Sequence, residues 1–422
     1  DHAIAINRKY TNAWYDKGLA LVRLGRDRDA IQAFENTSAI DPHFLGAFYE
    51  KGLALERLGL YKDALVAFDA ALAINVSSVP ALYHKGLTHY RLGSYEDAVT
   101  SLESALDLDS SLTDAWYHLG LAYRYQNNFR EAINALDQAI RLDPKSYTAH
   151  YERGYNLSEM EDYASAVSEF SLALDIDETS KEAHYAKGLA LAALGQQEEA
   201  LDSFTRAIQI DPAFSDGVYH RGLALEQLGR YEEAISAFDH VLSHNPEHAD
   251  AWYHRGTSAE HLNNDEDAVA FFEKARRIDP DNPALLLSEG KALSRIGQFE
   301  KAIRIFDIAL KTRPSDGNLM LEKGIALAHL DQHDAAETVF AESARHLPDR
   351  FEPPFLRGLS LMVLERYEEA VASFDTALVR SPTDPDIWYH KGISLARLGK
   401  EVLAIPAFDK VLELRPDDIE AR

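Results

Sequence analysis

The sequence predicts an all-α solenoid built from twelve helix-turn-helix repeats. Residue types recur every 34 residues from Thr11 to Asp418 with no insertion between repeats. All four tryptophans fall on the fourth place of a repeat. The eighth place is glycine and the twentieth is alanine in every one of the twelve repeats. A fixed period of this length is typical of stacked helical arrays and not of a single globular core.

The first helix of a repeat is predicted from apolar residues with a 3.6-residue period. In the first repeat it runs from the residue before Trp14 to Leu24, and Trp14, Gly18 and Leu21 share one stripe. Gly25 then supplies a turn in which a positive φ comes at little cost. Glycine stands at this fifteenth place in seven repeats, at Gly25, Gly59, Gly93, Gly195, Gly229, Gly297 and Gly399.

The second helix opens with acidic residues such as Asp29, which are favourable at a helix N-terminus. Its buried stripe includes Ala30 and Phe34, and the helix ends at Asp41-Pro42 because proline cannot continue the hydrogen-bond ladder.

Small residues at two fixed places give the helix pairs their close approach. The glycine of the eighth place and the alanine of the twentieth leave a groove that the twenty-fourth place fills. That place is Phe in ten repeats, with Leu102 and Leu136 in the others. A β-branched residue at Gly188 should therefore overpack the contact, at a cost of roughly 1–3 kcal/mol.

The two ends of the chain fall in the middle of a repeat. Residues 1–10 match the end of a preceding second helix, residues 11–418 form the twelve repeats, and residues 419–422 begin a further one. No dedicated polar cap is visible at either end, although solenoids generally need one. We therefore expect that the chain is a segment of a longer array or that another molecule covers each end.

Composition and charge limit the classes of partner. Lys+Arg 43 against Asp+Glu 69 gives a net charge of −26, which repels nucleic acid and anionic membrane surfaces. No apolar run is long enough to span a membrane. Cysteine is absent, which excludes disulfides without selecting a compartment. No signal peptide is visible, which favours a cytoplasmic location and leaves an extracellular one open.

The combination of W-x3-G, A-x3-F and a terminal proline at a 34-residue period resembles the tetratricopeptide repeat family. The resemblance covers almost the whole chain. It implies antiparallel helix pairs stacked into a right-handed superhelix, an α-solenoid whose first helices line a concave groove. It also implies that the second, fifth, ninth, twelfth and thirteenth places of each repeat face that groove.

Candidate binding residues follow from those places. The fifth place is aromatic in ten repeats, at Tyr15, Tyr49, Tyr83, Tyr117, Tyr151, Tyr185, Tyr219, Tyr253, Phe355 and Tyr389. Tyrosine offers a large apolar face and one hydroxyl at low entropic cost, which suits peptide recognition, although the same rings could pack between helices. Arg23, Arg57 and Arg91 form a row at the thirteenth place that could meet an acidic segment.

No catalytic, nucleotide-binding or calcium-binding motif occurs in the chain, so we expect no enzyme activity and no cofactor.

The mostly basic seventh place is interpreted as a structural position whose charge meets the acid that ends the previous second helix, such as Asp177 before Lys187. His240 and His244 lie four residues apart and are a weak candidate metal site, against the alternative of a surface row of histidines.

The leading hypothesis is a non-enzymatic scaffold that binds a protein or peptide segment in the concave groove. Two alternatives stay open. The array could be structural and associate with copies of itself through its uncapped ends, or it could be the targeting arm of a larger enzyme. Neither nucleic acid nor a membrane is an expected partner.

Overall fold

The computed structural model describes residues 2–416, and every regular element within them is an α-helix. The prediction of an all-α fold built from helix-turn-helix repeats is confirmed. The expected start of a further repeat at 419–422 lies outside the described residues, as does the predicted end of the twelfth repeat. The chain divides into two compact bodies, an N-terminal body up to Gly217 and a C-terminal body from Val218. Each is described by itself.

The N-terminal body begins with the short helix α1 (His2–Ile6) and continues in helix pairs. These are α2 (Thr11–Arg23), α3 (Asp27–Ile40), α4 (Leu45–Arg57), α5 (Tyr61–Ile74), α6 (Val79–Arg91), α7 (Tyr95–Leu108), α8 (Thr113–Tyr125), α9 (Phe129–Leu142), α10 (Tyr147–Glu159), α11 (Tyr163–Ile176), α12 (Lys181–Ala193) and α13 (Gln197–Ile210).

The remaining helices are α14 (Ser215–Gln227), α15 (Tyr231–His244), α16 (Ala249–His261), α17 (Asp265–Ile278), α18 (Pro283–Arg295), α19 (Phe299–Thr312), α20 (Gly317–His329), α21 (His333–His346), α22 (Glu352–Val363), α23 (Tyr367–Leu378), α24 (Pro385–Arg397) and α25 (Glu401–Leu414). In each of the two bodies, a first helix packs on the second helix that follows it, and that second helix packs on the next first helix.

First helices of neighbouring repeats also touch within each body, as α8 touches α10 and α10 touches α12. We call the surface that they form together the first-helix layer. It is the surface on which the candidate binding residues lie. Within residues 2–416, no helix combines the length and the apolarity that crossing a bilayer requires.

The predicted glycine turn is present at all seven glycines, whose φ values lie between 67° and 78°. The same place in the other five repeats has a φ of 58–62° without glycine, at Asn127, Glu161, Asn263, Asp331 and Glu365. The left-handed conformation is therefore required by the turn itself and is adopted even where the side chain opposes it.

The close approach of paired helices is observed where the small residues predict it. A Cβ added to Gly188 would lie 2.6 Å from Cε1 of Phe204, a ring that is fully buried. The equivalent rings of nine repeats are among the largest fully buried side chains of the described chain, and Leu102 and Leu136 take the same role in two others. Burial of one such side chain contributes about 1.5–3 kcal/mol to folding.

The fourth-place tryptophans anchor the loop that enters each of their repeats. Nε1 of Trp116 donates a hydrogen bond to the carbonyl oxygen of Ser110 at 2.9 Å, six residues earlier. The other three tryptophans make the same bond, from Trp14 to Arg8, Trp252 to Pro246 and Trp388 to Pro382. The tryptophan therefore fixes the connection between repeats and is not a free ring on the surface.

The basic seventh place forms ion pairs, but not with the predicted acid. Nζ of Lys85 lies 2.7 Å from Asp69, and Nζ of Lys391 lies 2.6 Å from Asp375. In each case the acid directly follows the groove-filling phenylalanine, five residues before the end of α5 for Asp69 and three residues before the end of α23 for Asp375. The expected partner, Asp177, instead accepts hydrogen bonds from Thr179. The residue at the seventh place lies in the middle of its first helix, and its side chain therefore contacts the middle part of the preceding second helix.

Candidate functional site

The fifth-place rings lie on the first-helix layer and are half-buried. The ring of Tyr151 packs on Phe170 of its own repeat, with ring centroids 5.8 Å apart. The same contact is made by Tyr15, Tyr49, Tyr185, Tyr219, Tyr253, Phe355 and Tyr389. Tyr83 and Tyr117 instead pack on clusters that contain the leucines of the twenty-fourth place. One part of each ring therefore stabilises the repeat, and the other part remains accessible.

The hydroxyls of Tyr83, Tyr151 and Tyr185 remain protonated over the physiological range. Burial raises the pKa of Tyr83, Tyr151 and Tyr185 to about 12. For Tyr83, the negative charges of Asp114 and Glu56 act in the same direction. The layer therefore offers neutral hydroxyls that can both donate and accept hydrogen bonds beside carboxylates.

All three side chains of the arginine row are exposed, and two of them contact the preceding repeat. Arg57 is 2.8 Å from Asp27, and the guanidinium of Arg91 lies over the ring of Tyr61 at 5.9 Å. Two of the three candidates therefore hold neighbouring repeats together, which limits their availability to an acidic ligand.

Those contacts belong to a pattern that the sequence analysis missed. The thirteenth place of one repeat meets the seventeenth place of the repeat before it, 30 residues earlier. In three cases the partners are nearly parallel rings with centroids 4.5–4.8 Å apart: Tyr95 with Tyr125, Tyr231 with His261, and Phe299 with His329. In Arg295 with Asp265, as in Arg57 with Asp27, the contact is an ion pair. Complementary residue types 30 places apart are the signal that could have revealed it.

A buried carboxylate on the first-helix layer was also missed. Glu56 is only 6% exposed, and its carboxylate lies 2.9 Å from Nδ1 of His84 and 2.9 Å from Oγ1 of Thr88. In the C-terminal body, Glu226 binds Nδ1 of His254 at 2.8 Å in the same way. Both pairs are a Glu at the twelfth place and a His 28 residues later, so the spacing itself was a usable signal.

Arg124 contacts the rings of two tyrosines of the N-terminal body. Its guanidinium carbon lies 4.9 Å from the ring centroid of Tyr125 and 4.7 Å from that of Tyr155. Its Nη1 also forms an ion pair with Glu152, which is mostly buried. Burial raises the pKa of Glu152, and Arg124 opposes that rise.

The repeats that lack a fifth-place aromatic ring are packed differently. Leu321 is buried. At the seventh place of the repeat that contains Leu287, the base is replaced by Glu289, which is 1% exposed and lies 2.7 Å from Nε of Arg276. The change in pattern that the sequence shows therefore includes a reversed, buried ion pair.

An apolar cavity of about 230 Å³ lies further along the C-terminal body. It opens between α20 and α22, and its lining includes Ile325, Leu356, Leu359 and the exposed Val363.

The histidines around His240 do not converge. The rings of His240 and His244 are 5.0 Å apart, but Nδ1 of His244 lies 3.0 Å from the carbonyl oxygen of His240. His248 caps α16 by accepting from Ala251 N. Within residues 2–416, no three His, Cys, Asp or Glu side chains are grouped so that they could hold a metal ion.

Family models match most of the chain. A model described as Tetratricopeptide repeat matches residues 15–80, 219–283, 287–350 and 355–419. Two further Tetratricopeptide repeat models match 113–146 and 147–180, and one described as TPR repeat matches 88–124 and 188–229. None of the curated proteins matches the chain.

Solved structures of similar repeat proteins cover part of the chain. YrrB, described as a TPR protein with an unusual peptide-binding site, is 27% identical over 45% of this chain and 97% of its own, with a TM-score of 0.42. MamA from Desulfovibrio magneticus RS-1 is 24% identical over 40% and 96%, with a TM-score of 0.39. The C-terminal part of a TPR repeat-containing protein from Cytophaga hutchinsonii is 18% identical over 56% and 97%, with a TM-score of 0.49.

Proposed function

Because the chain belongs to the tetratricopeptide repeat family, we propose that it is a protein-interaction scaffold that binds an extended protein segment along its first-helix layer, the concave groove that the family resemblance implies. The observation that carries this proposal is the row of half-buried fifth-place rings. Each ring is fixed by the phenylalanine or leucine beneath it, so little side-chain entropy is lost when a ligand covers the remaining face.

The helices α8, α10 and α12 supply accessible apolar surface of the first-helix layer beside this row. Tyr125 is 47% exposed, Tyr155 is 38% exposed and Leu189 is 37% exposed, although all three belong to helices that are packed on both sides. Rigid aromatic side chains that remain partly exposed are the residues most enriched among the energetic centres of protein interfaces.

The proposal includes no catalytic activity. The chain has no nucleophile–base motif and no phosphate-binding loop. The buried carboxylates of the layer are paired with histidine, threonine or arginine, as Glu56 and Glu152 are. These pairs stabilise the array. The net charge of −26 likewise supports protein and not nucleic acid or an anionic membrane as the partner.

Selection of binding peptides tests the proposal. Peptides are selected against the whole chain from a random library, and their affinities are measured by fluorescence anisotropy for three proteins. The double variant Tyr155→Ala, Leu189→Ser removes accessible surface from the first-helix layer. The matched control Leu172→Ser removes a side chain of α11 that is 45% exposed. Selected peptides should lose at least about tenfold in affinity with the first variant only. Equal losses, or a loss confined to the control, would reject the layer as the binding surface.

Self-association is the second candidate, and one observation favours it. Leu24 is 71% exposed and borders a cleft of about 540 Å³ that Tyr10, Ala13 and Leu21 also line. The charged residues Asp16, Lys17 and Arg26 also line this cleft, and its apolar part could receive another copy of the chain. Sedimentation equilibrium of the wild type and of Leu24→Glu tests it, since a monomer in both proteins over a wide concentration range dismisses this contact. The expectation that the chain is the targeting arm of a larger enzyme stays a prediction.

A further inference from the structure

The apolar cavity between α20 and α22 belongs to the first-helix layer of the C-terminal body. Ile325 and Leu359, which line it, hold the ninth place of their repeats, one of the places that the family resemblance assigns to the groove. The buried ring of Phe340 lines it as well. Among the described residues around the cavity, none is a lysine, arginine, aspartate or glutamate. An apolar side chain can therefore enter without leaving a charge unpaired, whereas a charged one would find no opposite charge in the lining.

Two contacts that other repeats make with their neighbours are replaced at this cavity. The first is the polar pair between the twelfth place of one repeat and the sixth place of the next, as Glu226 forms with His254. Ala328 and Leu356 hold these two places here, and both line the cavity. Leu356 is the only leucine at the sixth place in the twelve repeats. A methyl group and an aliphatic side chain thus stand where a hydrogen-bonded pair fills the space between other repeats.

The second replaced contact is the ring at the thirteenth place. One repeat earlier, His329 lies flat on the seventeenth-place Phe299, with ring centroids 4.7 Å apart and planes inclined by 7°. At the cavity the seventeenth place is His333 and the thirteenth is Val363, which has no ring to stack. His333 and Val363 both line the cavity, and Val363 is 61% exposed. The chain therefore supplies one member of a stacked pair and leaves space beside it.

The size of that space is sufficient for an aromatic ring. The cavity measures about 230 Å³. For comparison, an engineered apolar cavity of about 150 Å³ in another protein binds benzene. A ring also gains an aromatic contact with the imidazole of His333, which a branched aliphatic side chain does not.

We propose that this cavity is a side-chain pocket of the first-helix layer, and that a bound protein segment places a phenylalanine ring in it, in contact with His333. This inference rests on the proposed function, since the ring belongs to a segment that lies along the layer. It adds a contact region in the C-terminal body and names the residue type that this region takes.

A substitution that supplies the missing ring tests the inference. Val363→Tyr gives this thirteenth place the residue that Tyr125 provides in the N-terminal body, so the new ring should cover His333 and fill the cavity. The matched control Val379→Tyr makes the same change directly after α23, at a residue that is 74% exposed. Peptides are selected against the whole wild-type chain from a random library. Their affinities for the three proteins are then measured by fluorescence anisotropy.

A group of the selected peptides should lose about tenfold or more in affinity with Val363→Tyr and keep its affinity with Val379→Tyr. Each peptide of this group should contain a phenylalanine whose replacement by alanine costs a similar factor with the wild type and nothing with Val363→Tyr. Its replacement by cyclohexylalanine, which keeps the bulk and removes the aromatic face, should cost about two- to tenfold. If no peptide shows this dependence on phenylalanine and on Val363, the inference is overturned.

A second variant fills the cavity from a different helix and makes the test independent of how Val363→Tyr folds. Ala328→Met introduces the residue that holds the twelfth place in the next repeat, Met362, so the place accommodates this side chain. It should weaken the same phenylalanine-containing peptides about threefold or more, and the urea midpoint of each variant confirms that the body is folded. Unchanged affinity with Ala328→Met would contradict the pocket.

The outcomes separate this inference from the proposed function. If the selected peptides lose affinity with Tyr155→Ala, Leu189→Ser and bind Val363→Tyr as tightly as the wild type, the inference fails while the proposed function stands. A loss with Val363→Tyr alone supports the inference and locates the segment on the C-terminal body. If neither change affects any selected peptide, the proposed function fails as well. Self-association of the wild type that Val363→Tyr abolishes, measured by sedimentation equilibrium, would assign the cavity to a second copy and overturn the inference.

Discussion

The imidazole of His261 lies flat on the phenol ring of Tyr231, with ring centroids 4.5 Å apart and ring planes inclined by 6°. Tyr231 opens α15 and His261 ends α16, so the stack joins two consecutive repeats. Tyr95 with Tyr125 repeats this geometry in the N-terminal body, at 4.8 Å and 6°. The interface between repeats is therefore reinforced at its edge by a side-chain pair that can be aromatic or ionic.

A double-mutant cycle should detect this stack as coupling. Tyr231→Ala and His261→Ala should each destabilise the C-terminal body, and their effects should be less than additive by about 0.5–1.5 kcal/mol, because the first change already removes the contact. Urea denaturation of the four proteins measures it. Tyr231→Ala with Glu266→Ala, an exposed residue of α17, serves as the control cycle and should be additive within about 0.5 kcal/mol. Additivity in both cycles would show that the stack contributes nothing beyond burial.

The folded protein should be more stable with glycine in place of Glu365. Its φ is +58°, although nearby repeats place glycine there, as at Gly399 with a φ of +67°. An L-residue in this conformation costs about 1–2 kcal/mol, which the greater entropy of glycine in the unfolded chain partly offsets. Glu365→Gly should therefore stabilise the protein by about 0.5–1 kcal/mol, seen as a higher urea midpoint.

Glu365→Ala is the matched control for that substitution, since it removes the same exposed carboxylate and keeps the unfavourable φ. It should leave the midpoint nearly unchanged. Gly297→Ala is the reverse experiment at an equivalent turn, where φ is +76° and an added Cβ would meet no atom within 4 Å. It should destabilise by about 1 kcal/mol through the backbone alone. If Glu365→Ala also raises the urea midpoint, the stabilisation comes from removal of the charge and not from the backbone.

Much of the architecture could be predicted from the sequence because each local signal is repeated. The turn at Gly25 and the buried ring of Phe34 appear where the pattern puts them, and the first helix begins at Thr11, two residues earlier than predicted. Each depends on residues within one repeat, and the period allows a weak signal to be read many times. The accessible fifth-place rings could be proposed for the same reason.

Contacts between repeats could not be predicted in this way. The pairs Glu56 with His84 and Arg57 with Asp27 depend on residue types that vary from repeat to repeat, so a consensus pattern averages them away. The acid that meets the seventh place was misassigned for a related reason. Its position depends on how far one helix reaches along its neighbour, which the period alone does not define.

Acidification should destabilise the N-terminal body partly through His118. Burial lowers the pKa of His118 below its ordinary 6.5, and the nearby Arg91 and His84 act in the same direction. As pH falls below about 6.5, the unfolded chain takes up a proton before the folded one does, so stability is lost from there down to the folded pKa. The variant His118→Gln has no imidazole at this position and therefore lacks this contribution to the pH dependence of stability.

Urea unfolding of the wild type and His118→Gln between about pH 7.5 and about pH 5.5 measures the effect. The advantage of the wild type over the variant should shrink as the pH falls. His244→Gln, a change at an exposed histidine, provides the baseline for a substitution away from the layer. A stability difference between wild type and His118→Gln that stays constant over this range would contradict the assignment.

Replacement of Arg276 should destabilise the folded protein, because Arg276 compensates the buried charge of Glu289. Glu289 is 1% exposed, and burial raises its pKa while Arg276 opposes the rise. Arg276→Gln leaves that carboxylate without its guanidinium and should cost about 2–4 kcal/mol, since a lone buried charge is far less stable than a pair. Arg277→Gln removes an exposed arginine from the same helix and should change stability by less than about 0.5 kcal/mol.

The destabilisation caused by Arg276→Gln should become smaller as the pH is lowered. A folded-state pKa above the unfolded value of Glu289 means that the folded chain holds the proton more tightly, so protonation of this group favours folding. Without Arg276 the pKa of Glu289 should rise further, because burial is then unopposed. The stability gap between Arg276→Gln and Arg277→Gln should therefore narrow as the pH is lowered from about 7.5 towards about 5. A gap that widens on acidification would mean that Arg276 acts through some contact other than the Glu289 carboxylate.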